Sequence, residues 1–110
     1  MNRSNQVAIV TGGASGIGVA TVREFAAEGA AVAIFDINQS LGQQVAETLR
    51  GEGFRVEFFA VDVSDLEACQ RGVQAVLEQW GTLDFLVNCA SVLSAKGWRP
   101  PRPTGTAAWA

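Results

Sequence analysis

Hydrophobic and polar positions follow one another in blocks that predict strands and helices in turn. Four short runs, at 7–10, 30–35, 56–61 and 83–87, are predominantly apolar. Runs of this length are typical of strands that are buried on both faces of a sheet. Between the runs, apolar residues recur every three or four positions, as on one face of a helix. Strands that alternate with helices predict a parallel sheet with right-handed crossovers.

The ends of the helices can be predicted from single residues. Gly29 is a suitable C-cap for the first helix, and Gly81 for the third. Ser64 and Glu67 have the spacing of a capping box, which predicts that the third helix begins at Ser64. The apolar face of this helix is predicted to consist of Leu66, Cys69, Val73, Val76 and Trp80.

A glycine-rich turn joins the first strand to the first helix. Gly12, Gly16 and Gly18 have the spacing G-x3-G-x-G, which differs from that of a P-loop, and no Gly-Lys-Ser/Thr motif follows them. A strand, a glycine turn and a helix in this order are what a diphosphate-binding junction requires, because the first helical amides point at the anion. A flexible turn without a ligand is the alternative for a glycine cluster alone.

The surrounding residues make this turn more specific. The stretch 11–18, Thr-Gly-x-x-x-Gly-Ile-Gly, resembles the cofactor turn of the short-chain dehydrogenase/reductase family. The resemblance covers about residues 5–95 and includes Asp36, the pair 62–63 and the stretch 88–91 at the family's spacings. It implies an α/β fold, namely a partial Rossmann-like, doubly wound parallel sheet of four strands in the order 3-2-1-4 with three helices.

The resemblance also implies a cofactor, NAD, and a set of residues that bind it. The expected cofactor-binding residues are Gly12, Ser15, Gly16, Ile17, Gly18, Asp36, Asp62, Val63, Asn88 and Ala90. At the end of the second strand, a carboxylate at Asp36 can accept hydrogen bonds from both adenosine ribose hydroxyls and repels a 2′-phosphate, so NADP is the less favoured cofactor. A purely structural role for Asp36, capping Asn38 and Gln39, is the alternative.

The other expected contacts depend on the resemblance. Asp62 matches the acid near the adenine amino group, and Val63 the apolar residue against the adenine ring. Asn88 and Ala90 match the family's Asn-Asn-Ala-Gly stretch beside the nicotinamide ribose. Cys89 replaces the second asparagine of that stretch, and Ser91 replaces its glycine.

The family's catalytic residues have no counterparts in this sequence. The chain has no tyrosine, and its one lysine is Lys96, so no catalytic residue is assigned. Three interpretations remain open. In the first, the chain is the cofactor-binding part of an NAD-dependent oxidoreductase of alcohols and ketones and is inactive alone. In the second, it is a non-catalytic dinucleotide-binding module. In the third, it is an interaction module that associates through the open edge of the fourth strand.

Composition excludes several other classes of function. A length of 110 residues predicts one domain. All eleven acidic residues lie between Glu24 and Asp84, which argues against a nucleic-acid partner. No run approaches the ~20 apolar residues of a membrane span, and the N-terminus lacks a signal region, so we expect a cytoplasmic protein. Two isolated cysteines and no histidine predict no metal site.

The pattern changes after residue 93. All three prolines lie at 100–103, and no apolar periodicity continues. The sequence therefore predicts an incomplete NAD(P)-binding domain at 1–93 and an irregular, disordered tail at 94–110 that resembles a truncated or frame-shifted end.

Overall fold

The computed structural model describes residues 3–89, and these form four strands and three helices in strict alternation. The elements in chain order are β1 (Val7–Thr11), α1 (Gly16–Ala27), β2 (Ala31–Asp36), α2 (Gln39–Gly51), β3 (Val56–Ala60), α3 (Leu66–Trp80) and β4 (Phe85–Asn88). This arrangement confirms the predicted α/β fold class. Ala90 and the predicted tail at 94–110 lie outside the described residues.

The four strands form one parallel sheet in the order β3-β2-β1-β4, as the resemblance implied. Val7 is in register with Ala31 of β2, and Ala8 is in register with Phe85 of β4. All five residues of β1 are buried because this strand has a neighbour on each side and helices on each face. Within residues 3–89, β3 and β4 are the edge strands.

Helices cover both faces of the sheet, which makes the fold doubly wound. Val10 and Ile34 pack with Val22 of α1 on one face, and α2 lies on the same side. On the other face, Ile9 packs with Val76 of α3. None of the helices within residues 3–89 has both the length and the apolar character needed to cross a membrane.

Two glycines inside helices allow close contact with the sheet. A Cβ atom on Gly42 of α2 would lie 2.1 Å from Cε1 of the Phe58 ring. A Cβ on Gly72 of α3 would lie 2.8 Å from Cζ of Phe35. Glycine in a helix lowers stability relative to alanine. At both positions, however, only glycine leaves room for the aromatic ring to pack against the helix.

The contact between Gly42 and Phe58 makes a double-mutant cycle informative. Gly42→Ala alone is expected to destabilise the protein by about 1 kcal/mol, because overpacking outweighs the gain in helix propensity. In a Phe58→Ala background, the same substitution is expected to stabilise by about 0.5–1 kcal/mol. Denaturant unfolding of the wild type, the two single variants and the double variant measures both values. If Gly42→Ala changed the free energy of unfolding with the same sign in both backgrounds, a steric role for the Phe58 ring would be contradicted.

The structure corrects the predicted start of α3. Its N-cap is Asp65 rather than Ser64, and the Asp65 carboxylate accepts a hydrogen bond from the Ala68 amide at 3.2 Å. Leu66 is 72% exposed and so does not belong to the buried face of the helix. The predicted end is confirmed, because Gly81 adopts the left-handed conformation at φ 81°.

The N-terminal end of the described chain is attached to both α1 and β4. The Arg3 guanidinium lies 4.9 Å from the ring centroid of Phe85 and 5.7 Å from that of Phe25. The centroids of these two rings lie 5.3 Å apart. Arg3 also forms an ion pair with the carboxylate of Glu28. The cation–π contacts and the ion pair together hold the residues before β1 against the sheet.

Candidate functional site

A cleft of about 410 Å³ opens at the carboxyl ends of the strands, where ligands bind in open parallel sheets. It is called the strand-end cleft below, and its lining residues are Gly12, Ser15, Phe35, Asp36, Ile37, Val61, Asp62, Val63, Ser64 and Cys89. The sheet order reverses direction between β1 and β4, so the cleft lies beside the topological switch point.

The glycine turn forms one wall of the cleft, and α1 begins immediately behind it. Gly12 has φ 68°, and its amide donates to the Phe35 carbonyl at 2.8 Å. A Cβ on Gly18 would lie 1.9 Å from the carbonyl oxygen of Gly12, so only glycine allows the first turn of α1 to lie this close. A Cβ on Gly16 would meet no atom within 4 Å, which leaves open space for a ligand.

The N-terminus of α1 has the features of an anion site. The first amides of a helix have no intrahelical acceptors and lie at the positive end of the helix dipole. Ser15, the N-cap residue, makes no side-chain capping hydrogen bond to them. The amides of Gly16, Ile17 and Gly18 are in this first turn. The turn can therefore donate hydrogen bonds to a bound anion.

Asp36 lies half-buried at the end of β2. Its Oδ1 atom accepts a hydrogen bond from the Asn38 amide at 3.0 Å, so the capping interaction with Asn38 is present. Its Oδ2 atom accepts from the Ala14 amide in the glycine turn at 3.2 Å, a contact that the sequence did not predict. A carboxylate has about four acceptor positions, so both oxygens retain capacity for a ligand.

Asp62 provides a second carboxylate, at the exposed rim of the cleft. The Ser64 hydroxyl donates to its Oδ1 atom at 2.6 Å, and the Ser64 amide donates to the same atom at 3.0 Å. These two hydrogen bonds lower the pKa of Asp62, the hydroxyl bond contributing more, because both favour the charged form. Asp62 therefore remains an ionised acceptor at pH values where an ordinary aspartate begins to take up a proton.

Exposed apolar side chains flank the two acids. Ile37, directly after Asp36, is 71% exposed, and Val63, directly after Asp62, is 37% exposed. Both side chains line the strand-end cleft, and apolar side chains at this exposure are suited to contact a flat apolar ring. Ile37 was not among the residues expected from the sequence.

Charge in the cleft is negative. Asp36 and Asp62 both line it, and none of the arginines within residues 3–89 does. The same part of the chain contains no group of three histidine, cysteine, aspartate or glutamate side chains that could hold a metal ion.

Asn88 belongs to a hydrogen-bond network that joins β1 to the end of β4. The Thr11 hydroxyl donates to Oδ1 of Asn88 at 2.7 Å and accepts from the Cys89 amide at 3.1 Å. Thr11 and Asn88 line a neighbouring cavity of about 390 Å³, together with the exposed Leu86. Asn88 is therefore placed beside the strand-end cleft rather than in its lining.

The structure thus brings together five of the expected cofactor-binding residues in the lining of one cleft. These five are Gly12, Ser15, Asp36, Asp62 and Val63. The helix-start residues 16–18 follow the turn directly, with Ile17 79% exposed, and Asn88 adjoins the neighbouring cavity. Ala90 is the one expected residue outside the described part of the chain.

Comparison with known proteins assigns this arrangement to a family. The family model described as short chain dehydrogenase matches residues 6–104. The chain belongs to the short-chain dehydrogenase family. Two curated relatives are similar to it: zerumbone synthase of Zingiber zerumbet, 40% identical over 96 residues, and 3-hydroxyacyl-CoA dehydrogenase type-2 of Drosophila melanogaster, 41% identical over 91 residues.

Solved structures of similar proteins match the fold as well. A dehydrogenase/reductase from Sinorhizobium meliloti superposes with a TM-score of 0.77 at 37% identity, covering 81% of this chain and 36% of that one. A short-chain dehydrogenase/reductase from Burkholderia phymatum, solved in complex with NAD, gives a TM-score of 0.75 at 29% identity, covering 78% of this chain and 31% of that one.

The chain matches only part of each relative. It aligns over 87% of its own length with zerumbone synthase and over 83% with the Drosophila enzyme, but over 36% and 34% of those proteins. The chain therefore spans about a third of the length of these relatives.

Proposed function

We propose that this chain binds NAD in the strand-end cleft and is the cofactor-binding part of a short-chain oxidoreductase that acts on alcohols or ketones. The observation that carries the proposal is the convergence of the glycine turn, Asp36 and Asp62 on one cleft. Family membership and a similar structure that contains NAD support it.

Each wall of the cleft fits a different part of a dinucleotide. The amides at the start of α1 would bind the diphosphate, since Gly16 leaves open space before them. The free acceptor positions of Asp36 would bind the ribose hydroxyls of the adenosine. Ionised Asp62 would accept a hydrogen bond from the adenine amino group, and Ile37 and Val63 would contact the ring. When bound, NAD supplies the hydride acceptor of the reaction.

The charge of the cleft favours NAD over NADP. The carboxylate of Asp36 would repel the 2′-phosphate of NADP. None of the arginines within residues 3–89 lines the cleft to compensate for this repulsion. Asp36→Ala is expected to weaken NAD binding by about 1–2 kcal/mol more than NADP binding, because charge-assisted hydrogen bonds to the diol are lost. Calorimetric titration of the wild type and the variant with both cofactors measures this difference.

Equal losses for the two cofactors would contradict the placement of Asp36 at the ribose. Gly51→Ala is the reference variant for both titrations, because Gly51 is exposed at the end of α2 and an added Cβ meets nothing within 4 Å. Absence of NAD binding to the wild type would overturn the proposed function itself.

One observation favours a second candidate, a dinucleotide-binding module without catalysis. The sequence contains neither tyrosine nor histidine, so the side chains that most often transfer protons beside a carbonyl are absent. Binding through backbone amides and carboxylates needs none of these side chains. Both candidates predict NAD binding without turnover by the chain alone, so a turnover assay of a longer protein that contains this segment separates them.

A further inference from the structure

The carboxylate of Asp36 connects the end of β2 to the interior of the glycine turn. Its Oδ2 atom accepts from the Ala14 amide at 3.2 Å, and Ala14 is only 2% exposed. One residue earlier, the Phe35 carbonyl accepts from the Gly12 amide at 2.8 Å. The turn is therefore fastened to β2 by one backbone acceptor and one side-chain acceptor.

The turn itself is only weakly hydrogen-bonded. Its internal hydrogen bond, from the Ser15 amide to the Gly12 carbonyl, is long at 3.5 Å. A buried amide without an acceptor is costly, so removal of the Asp36 carboxylate would force Ala14 to find water or another acceptor. Any shift of Ala14 would be passed to Gly16, where α1 begins only two residues later.

We propose that Asp36 is a positioning residue for the diphosphate turn as well as an acceptor for the ribose. By holding the Ala14 amide, its carboxylate fixes the direction of the α1 amides before the cofactor arrives. This inference rests on the proposed NAD site. The Asp36 carboxylate would then have two roles, and a ligand without ribose hydroxyls distinguishes them. Its affinity depends on the positioning role but not on hydrogen bonds to the ribose.

The test compares ADP with 2′,3′-dideoxy-ADP, which keeps the diphosphate and adenine but lacks the diol. Asp36→Ala is expected to lower the affinity for the dideoxy ligand about five- to tenfold, because a hydrogen bond that orients the turn is lost. Asp36→Asn is expected to restore it, since the amide oxygen can still accept from buried Ala14 while water serves the exposed Asn38 amide. Calorimetry on the full chain measures all affinities.

Asp65→Ala is the matched control. Asp65 also accepts from a backbone amide, that of Ala68, at the same distance of 3.2 Å, but it lies outside the lining of the cleft. Its variant is expected to lose stability without losing affinity for dideoxy-ADP. Amide hydrogen exchange provides a second measurement: Ala14 is expected to exchange faster in Asp36→Ala and at the wild-type rate in Asp65→Ala.

The outcomes are distinguishable. Weaker dideoxy-ADP binding in Asp36→Ala, with recovery in Asp36→Asn, supports the positioning role. Unchanged dideoxy-ADP affinity alongside a loss of ADP affinity would limit Asp36 to the ribose and overturn the inference, while the NAD site would stand. Failure of the wild type to bind ADP at all would overturn the proposed function and the inference together.

Discussion

Gly18→Ala is expected to lower affinity for NAD at least tenfold and to reduce stability at the same time. The new Cβ would lie 1.9 Å from the Gly12 carbonyl oxygen and 2.7 Å from the Gly12 carbonyl carbon, both backbone atoms. Relief of this contact requires α1 to move away from the turn, at a cost of about 1–3 kcal/mol in stability. The same movement takes the first helical amides away from the diphosphate.

Gly51→Ala is the control for this prediction. It is the same substitution in another helix, at a position where the added Cβ meets no atom within 4 Å. It is expected to raise stability by no more than about 0.5 kcal/mol, because Gly51 is the last residue of α2, and to leave NAD binding unchanged. Thermal unfolding and calorimetric titration of both variants provide the measurements. Wild-type affinity in Gly18→Ala would contradict the role of this contact in shaping the site.

The second large effect concerns catalysis. The 110-residue chain, purified alone, is expected to bind NAD and to show no NAD-dependent oxidation of secondary alcohols above background. An alcohol is a very weak acid, so hydride transfer needs a positioned base, and loss of such a base costs about 10²- to 10⁴-fold in rate. The sequence has no tyrosine or histidine, and in the proposed site Asp36 and Asp62 contact the adenosine.

Two measurements on one sample test this prediction. A fluorescence titration with NADH measures binding, and an absorbance assay over a panel of alcohols and ketones measures turnover. Gly12→Val serves as the binding-deficient control, since Gly12 has φ 68° and lines the cleft. Turnover that survives repurification and disappears in Gly12→Val would show that the chain contains a base that we have not identified.

The features that the sequence predicted well are those with a local cause. The apolar run 7–10 and the following glycines determine a strand, a turn and a helix start without reference to the rest of the chain. Asp36 was placed at a strand end because the run before it is uninterrupted. The confirmed strand order came from the family resemblance, since hydrophobic periodicity alone does not specify which strands are neighbours.

The features that the sequence missed depend on contacts between distant segments. The bond from Ala14 to Asp36 exists only once β2 lies beside β1, and no property of a buried alanine indicates it. Gly42 is unfavourable for a helix until the Phe58 ring from β3 is placed against it.

The predicted N-cap of α3 was wrong for a different reason. Serine and aspartate have nearly equal N-cap preferences, so Ser64 and Asp65 could not be separated by propensity. In the structure, the Ser64 hydroxyl and amide both donate to Asp62, which holds Ser64 in the segment before the helix, and Asp65 caps the helix. Which of the two adjacent residues becomes the N-cap depends on this contact with Asp62, and residue types alone do not predict it.

The position of β1 at the centre of the sheet has a consequence for the order of folding. One edge of β1 pairs with β2, which follows after a single helix and places Ala31 in register with Val7. The other edge pairs with β4, which comes much later in the chain and places Phe85 in register with Ala8. Closing the longer loop costs more chain entropy and makes a slower, non-local step. During synthesis, three strands can therefore associate on the ribosome while the second edge of β1 remains unpaired until β4 emerges.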